Sequence, residues 1–389
     1  MIKIIAVTTD RADFGLLSPP MRVLTEDPYF EVQFIITGSH LLTGKETSLQ
    51  TIRSSGFAIC AEVPIFQENY SSTFASDGFS EAIKGISKAL SKSKPDFIML
   101  LGDRYETLAS AIAATLLNIP IIHLCGGDIT QGAMDDSIRH ALTKLSHIHF
   151  PSNLQAAKRL EQMGEDPERI LMVGSSGLDY INECEKIKTE EIFEILSIDN
   201  PELPFFLVTF HPVTLETDFG VAHLDQVLSA LKEYAKNNRC NFIFTGVNLD
   251  PGSSVIDEKI KSFCASEKSC YFFESLGSSY YINLLKKCQA VLGNSSSGFY
   301  EAPFLKKPTL NVGGRQKGRL MCDSIFNVDT KESILKALGE SSKMVLDHVI
   351  SPYGDGKTSQ KIREFLKKQP APKEIIIKKF KDIPCKNHL

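Results

Sequence analysis

PDFIMLLGDRYETLASAIAATLLNIPIIHLCGGD, residues 95–128, is the stretch on which the fold turns. An apolar run over 95–101 stops at Gly102. A helical pattern follows over 104–118, and a second apolar run over 119–125 stops at a glycine pair. Both runs are apolar at successive positions rather than alternate ones, the mark of strands buried on both faces of a parallel sheet. Strand, helix, strand in this register predicts a doubly wound α/β architecture.

The same rhythm extends outward in both directions. Further strands are predicted at 2–8, 31–37, 169–174, 204–210, 240–245, 269–274, 289–293 and 308–312, with a helix over 222–237. A chain of 389 residues is too long for one such core, so two domains are expected. The boundary is placed near 176–203, where the helical stretch YINECEKIKTEEIFEILSI runs into DNPELP and the rhythm restarts. The expected division is 1–176, 177–355 and a terminal segment, 356–389, whose helix over 358–368 packs back on the N-terminal domain.

Composition narrows the function classes. A formal charge of −4 with no basic block argues against a nucleic-acid partner. The lysine-rich stretch KEIIIKKFKDIPCK, 373–386, reads as a solvated tail. Nine scattered cysteines with no CxxC pair predict reduced thiols, no metal site and a cytoplasmic protein. No apolar run reaches roughly 18 residues, so no transmembrane helix or membrane partner is expected, and the N-terminus does not read as a signal peptide. Neither GxGxxG nor GxxxxGK[ST] occurs, which weakens dinucleotide and P-loop readings.

In open parallel sheets ligands bind beyond the carboxyl ends of the strands. The first strand leads into TTDRADFG, where Arg11 either grips a phosphate or pairs with Asp10 or Asp13; Ser18-Pro19 reads as the N-cap and first residue of the next helix. GDRYET supplies Asp103 and Arg104, with Asp103 either a carboxylate in the crevice or a helix cap. HLCGGDITQGAMDDSIRH, 123–140, supplies Asp128, Asp135 and Arg139. A helix starting near Asp135 puts Asp135 with Arg139 on one face and Asp136 with His140 on the next. Carboxylates gathered at adjacent strand ends push one another's pKa values apart, as acid–base pairs require.

The second half contributes His211 in TFHP, Asn248 in TGVNLDPGS, and LGNSSSGFYEA, 292–302. There Ser295, Ser296 and a following helix start suit an anion, while Glu301 suits a ribose diol; together they suggest a nucleoside diphosphate. GGRQKGR adds Arg315 as a cleft-facing or solvated cation.

GDRYE, GGDITQGAMDDSIRHALTKLSHIHF, GNSSSGFYEAP and GGRQKGR resemble the hydrolysing UDP-N-acetylglucosamine 2-epimerases of bacterial sialic-acid synthesis. The resemblance runs in order from Arg11 through Arg319. It implies the GT-B architecture, two Rossmann-like domains with the active site between them. It also implies conversion of UDP-N-acetylglucosamine and water to N-acetylmannosamine and UDP with no cofactor, and a homodimer or homotetramer. Residue by residue, it places Arg11 and His211 near the diphosphate, Ser295 and Ser296 on phosphate, Glu301 on ribose, and Asn248 and Arg315 along the nucleotide or sugar. Arg104 and Arg139 join the substrate-binding set, and His211 also assists catalysis by stabilising the leaving group. Asp103 and Asp135 match aspartates implicated in catalysis. One position departs: a glutamate in the family's HIEGG is Cys125 here, and Asp128 is the substitute for the missing acid–base group. The alternatives are a hydrolysing epimerase of UDP- or GDP-N,N′-diacetylbacillosamine, a GT-B glycosyltransferase, and a catalytically inactive nucleotide-sugar sensor.

Overall fold

The computed structural model describes residues 1–42, 46–65, 74–130, 134–213, 216–247 and 252–382. The chain divides into two compact units, Met1–Tyr180 with Tyr353–Leu389, and Ile181–Pro352. The first unit runs β1 (Ile2–Thr8), α1 (Arg11–Thr25), β2 (Phe30–Thr37), α2 (Glu46–Ser54), β3 (Ala58–Val63), α3 (Phe74–Ser93) and β4 (Phe97–Leu101). It continues through α4 (Tyr105–Leu116), β5 (Ile121–Leu124), α5 (Met134–Leu145), β6 (Ile148–Phe150) and α6 (Leu154–Gln162). α7 (Asp179–Glu183) carries the chain across, and α8 (Thr189–Ile195) opens the second unit. There follow β7 (Phe205–Thr209), α9 (Val221–Asn237), β8 (Asn241–Thr245), α10 (Ser253–Ser266), β9 (Cys270–Phe273), α11 (Gly277–Lys287) and β10 (Val291–Gly293). The unit closes with α12 (Glu301–Phe304), β11 (Thr309–Asn311), β12 (Ile325–Asn327) and α13 (Lys331–Ser341). α14 (Thr358–Lys367) and α15 (Pro372–Ile375) return to the first unit.

Each unit holds one six-stranded parallel sheet, ordered β3-β2-β1-β4-β5-β6 and β12-β11-β10-β7-β8-β9. Read from the opposite edge, the second order is the same as the first. Strand order reverses between β1 and β4 in one sheet and between β7 and β10 in the other, which are the switch points where doubly wound folds place ligands.

Why the central strands are apolar throughout is visible in the first unit. Ile4, Ala6, Phe97 and Met99 face a cluster with Leu17 and Met21 of α1 and Ile362 of α14, while Ile5, Val7, Ile98 and Leu100 face Ile86 of α3 and Ala109 of α4. Every second side chain is therefore covered on each face, and each buried aliphatic contributes about 1.5–3 kcal/mol. Phe206, Val208, Phe242 and Phe244 play the corresponding part in the second unit.

Three local expectations need correction. α1 starts at Arg11, not after Ser18: the Asp10 side chain accepts from Ala12 N and Asp13 N (2.8 and 3.0 Å), closing a reciprocal capping box with Asp13. Ser18 lies inside the helix and donates to Phe14 O at 2.6 Å. Pro19 and Pro20 are interior too. Pro20 has no N–H to offer the Leu16 carbonyl, and the Ser176 hydroxyl donates to that oxygen instead, at 2.5 Å.

The strand expected at 169–174 forms only a single bridge, His149 to Ile170. Leu171 N and Val173 N donate to His149 O and Pro151 O, but Pro151 has no N–H with which to return a bond. The tail, finally, is not simply solvated. Ile375 is fully buried, and Lys378 donates to backbone carbonyls at the end of α5.

Candidate functional site

At the first switch point, between β1 and β4, charged groups have found partners within the same unit. Arg104 reaches across to Asp10 at 3.0 Å and forks onto the fully buried Glu106 at 3.2 and 3.0 Å. Arg11, at the first position of α1, is exposed and has no hydrogen-bond or ion-pair partner among the described residues. Nor does the Asp13 carboxylate serve Arg11: it accepts from Thr9 N and Thr9 Oγ1 at 2.7 and 2.6 Å and from Thr8 Oγ1. Thr8 in turn meets the buried His40 Nε2 at 2.9 Å, and His40 Nδ1 meets Ser48 Oγ at 2.8 Å. Sequence reasoning missed this network, since its residues lie on three separate segments.

Beyond β4 and β5, Arg139 ties the loops together. Only 6% exposed, it donates to the Asp103 carboxylate, to Asp128 O at 2.9 Å and to Thr130 Oγ1 at 2.9 Å. Its nearest acid on α5 is Asp136, at 3.6 Å, rather than the Asp135 that helical spacing suggested. Asp136 also accepts from Thr130 N at 2.6 Å and lies 3.6 Å from His140 Nε2. Asp135 is left with no hydrogen-bond or ion-pair partner among the described residues. Burial, and after it the Asp103 charge, raises the Asp135 carboxyl above the ordinary carboxylate range, against the opposing pull of Arg139 and Arg104.

Asp128 is engaged differently. Its two oxygens accept from Ser152 Oγ at 3.2 Å and Asn153 Nδ2 at 2.7 Å, and Asn153 caps α6 through Ala156 N. Cys125 occupies a left-handed backbone position with φ 62°. Burial, then the charges of Asp128 and Asp103, push its thiol up to about 12. At neutral pH it therefore stays a protonated thiol and is no base. His123, which sequence reasoning passed over, places Nε2 2.7 Å from Gly102 O and is held down to about 4 by burial, so it fixes the β4 turn as a neutral donor.

The second unit organises its switch point with an amide. Asn294, fully buried, accepts from His211 N at 2.7 Å through Oδ1 and donates to His211 O at 2.8 Å through Nδ2. Gly293 permits this approach: its φ is 128°, and a Cβ there would collide with Thr209 O. The Asn294 carbonyl accepts from Gln316 Nε2 at 2.8 Å and Arg315 Nη1 at 3.3 Å, which brings the loop after β11 to the same place. Burial and then the Arg315 charge hold the His211 imidazole down to about 4.

Ser295, Ser296 and Ser297 follow β10 in a tight turn, with Ser295 Oγ accepting from Ser297 N at 3.3 Å. The helix expected next is only the four-residue α12, with Pro303 inside it. It is too short for a helix dipole to matter, and the Ser297 hydroxyl is engaged with Tyr281 and Glu301, which leaves those of Ser295 and Ser296 as candidates to meet an anion. Glu301 Oε2 is buried without a hydrogen-bond partner among the described residues, and burial raises its carboxyl despite the hydrogen bond from Ser297. Asn248 lies outside the described residues. Among those that are described, no group of three or more metal-ligating side chains occurs and no helix is long and apolar enough to cross a membrane.

A family model described as UDP-N-acetylglucosamine 2-epimerase matches residues 22–367. A GDP/UDP-N,N′-diacetylbacillosamine 2-epimerase (hydrolyzing) of Campylobacter jejuni is 35% identical over 336 residues, 85% of each chain. A UDP-N,N′-diacetylbacillosamine 2-epimerase (hydrolyzing) of Legionella pneumophila is 33% identical over 377 residues, 97% of this chain and 98% of its own. In fold, the crystal structure of UDP-GlcNAc 2-epimerase from Neisseria meningitidis, bound to UDP-GlcNAc, superposes with a TM-score of 0.76 over 95% of this chain and all of its own, at 20% identity. Two Rossmann-like units with one strand order, in the manner of GT-B proteins, and relatives at this identity over nearly the full length lead to one assignment: the chain belongs to the hydrolysing UDP-N-acetylglucosamine 2-epimerase family.

Proposed function

We propose that the protein hydrolyses a UDP-linked 2-acetamido sugar with inversion at C2, releasing UDP and the free 2-epimeric sugar. The observation that carries this reading is Asp135: a carboxyl raised by burial and by the neighbouring Asp103, one helical turn from an arginine that is already committed elsewhere. A carboxylate of raised pKa is a better base at neutral pH than an ordinary one.

The chemistry explains why both units carry polar sites. The proton at C2 of the sugar is not next to a carbonyl, so a base alone does not remove it. Departure of UDP from C1 gives that carbon oxocarbenium character and acidifies C2. His211, Ser295, Ser296 and Arg315 of the second unit are assigned to the diphosphate, where they stabilise the developing charge. A phosphate oxygen beside the His211 imidazole favours the protonated ring, which takes its proton from solvent as the diphosphate binds. The buried Glu301 oxygen is assigned to the ribose hydroxyls. Asp135 takes the C2 proton, giving a glycal. Water then adds at C1, and a proton arrives at C2 on the opposite face.

Asp103 is the preferred second acid–base group. The raised Cys125 thiol does not serve as a base, and Asp128 holds the α6 cap with both oxygens engaged. N-acetylmannosamine is the product if the sugar is N-acetylglucosamine, the substrate in the name of the family. A second reading, N,N′-diacetylbacillosamine on UDP, is favoured by the relatives of 35% and 33% identity. Incubation with each UDP-sugar in deuterated water, followed by NMR, decides. The expected result is a free 2-epimer bearing deuterium at C2 from one of them. Transfer to an acceptor, release of the unepimerised sugar, or UDP binding without turnover of either would overturn the proposal.

A further inference from the structure

The C-terminal tail reaches the same helix that carries Asp135, at its opposite end. α5 bears Asp135 and Asp136 in its first turn and Arg139 in its second, and like any helix it ends in carbonyls with no partner within the helix. The Lys378 ammonium donates to three carbonyls around that end: Thr143 O at 3.0 Å, Lys144 O at 2.9 Å and Ser146 O at 2.6 Å. It also pairs with Glu165 Oε2 at 2.7 Å. Glu165 is itself buried and meets His149 Nε2 at 2.9 Å and Lys144 Nζ at 2.6 Å.

The tail is fastened on either side of this lysine. Ile375 is buried in the core of the first unit. The Phe380 ring lies where Gly164 has no side chain: a Cβ there would stand 2.5 Å from Phe380 Cζ. Lys144 Nζ sits 4.5 Å from the centre of the same ring, and Lys381 N donates to Gly164 O at 3.0 Å. The tail residues Ile375, Lys378, Phe380 and Lys381 all lie beyond 367, where the match to the family model ends.

We infer that Lys378 is a positioning residue for the acid–base chemistry, holding α5 at its C-terminal end so that Asp135 and Arg139 keep their places at the other. The inference rests on the reading of α5 as the helix that supplies the base. A cation at a helix C-terminus is favoured by the helix dipole and satisfies carbonyls that would otherwise need water. A rigid helix transmits any displacement of its far end to its first turn, and misplacement by about 1 Å costs on the order of a hundredfold in rate.

The test compares full-length Lys378→Met, Lys378→Arg and Lys379→Met, the last removing one exposed charge from the same tail. Turnover of the UDP-sugar, UDP affinity by calorimetry, and hydrogen–deuterium exchange in α5 and in α9 are measured on each. Lys378→Met is expected to lower kcat by about ten- to a hundredfold with KM and UDP affinity nearly unchanged. Exchange should quicken in α5 and not in α9. Lys378→Arg should recover most of the turnover, and Lys379→Met should resemble the parent. If Lys378→Met does not fold, Lys378→Gln, which keeps a donor, replaces it. Unchanged exchange in α5 overturns the inference, and so does an equal loss in Lys379→Met. A parent protein without activity on any UDP-sugar defeats the functional reading instead, and α5 exchange still decides whether Lys378 holds the helix.

Discussion

The two units share a strand order and a switch point but furnish that point with opposite kinds of chemistry. In the first, Asp10, Arg104 and Glu106 form one ionic chain, and Asp103 and Arg139 another. In the second, a neutral amide, Asn294, holds the His211 backbone, and a buried carboxylate oxygen of Glu301 has no hydrogen-bond partner among the described residues. On the proposed function, ion pairs fix the geometry where a proton is to be moved and, after burial, their charges bear on the carboxyl left over, Asp135. On the same proposal, a neutral clamp, which adds no charge of its own, fixes the geometry where a large anion is to be received and released. The same scaffold thus accommodates both tasks, and each assignment can be broken separately.

The largest effect is expected from Asp135→Asn. Loss of the general base should lower kcat by about 10²–10⁴-fold, with UDP affinity intact. The variant should also melt higher than the parent at pH 7. A carboxyl whose folded pKa is raised destabilises the folded state once it ionises, so the parent loses stability as pH rises through that pKa, and the asparagine does not. The gain in Tm should vanish in acid, below the ordinary carboxylate pKa. In the pH–rate profile, Asp103→Asn should move the acid limb of any residual activity to lower pH, since a raising influence on Asp135 has been removed. A limb that stays in place would assign the base elsewhere.

Arg139→Met should come next. It strands the Asp103 carboxylate and frees Thr130 and the Asp128 carbonyl, and breaking a buried pair from one side costs about 3–5 kcal/mol. The lower end applies, because Asp103 remains 24% exposed and can rehydrate. Urea denaturation of the full chain reads this directly. An unfolding free energy within error of the parent would show that the ionic knot does not hold the loops together.

How much of this was legible follows from where information sits in the chain. Central strands such as β4 and β7 declare themselves because both faces are covered and every position must be apolar. β3, β6 and β12 went unseen: they are edge strands, β3 begins at an exposed Ala58, and β6 and β12 have three residues each. The acidic residues of the first site were legible because they crowd at strand ends. Their partners were not. Helical spacing pairs Arg139 with Asp135, whereas the folded chain pairs it with Asp103, 36 residues away. The hold of Lys378 on α5 spans more than 230 residues and leaves no local pattern at all.

Asn294→Ala tests the neutral clamp. Removing the amide leaves the buried N–H of His211 without its acceptor, a cost of about 1–3 kcal/mol in stability. His211 then loses its fixed backbone, and UDP affinity should fall by a similar factor to that in His211→Gln. The diagnostic is a double-mutant cycle in UDP binding: if Asn294 acts through His211, the second substitution adds little to the first. Full additivity, measured by calorimetry, would place the two residues in separate roles.

The smallest expected effect is the most specific. Glu301→Gln exchanges an acceptor-only carboxylate for an amide of the same shape, so a ribose diol loses one charged acceptor, worth about tenfold in affinity. The comparison that matters is between UDP and its 2′,3′-dideoxy analogue. In the parent, the analogue should bind more weakly than UDP; in Glu301→Gln the gap should narrow, since the partner of those hydroxyls is gone. The variant should also be no less stable without ligand, because burial already opposes the charge that the substitution removes. An unaltered gap between the two nucleotides would free Glu301 from the ribose. It would also leave the contrast between the units resting on Asn294 and His211 alone.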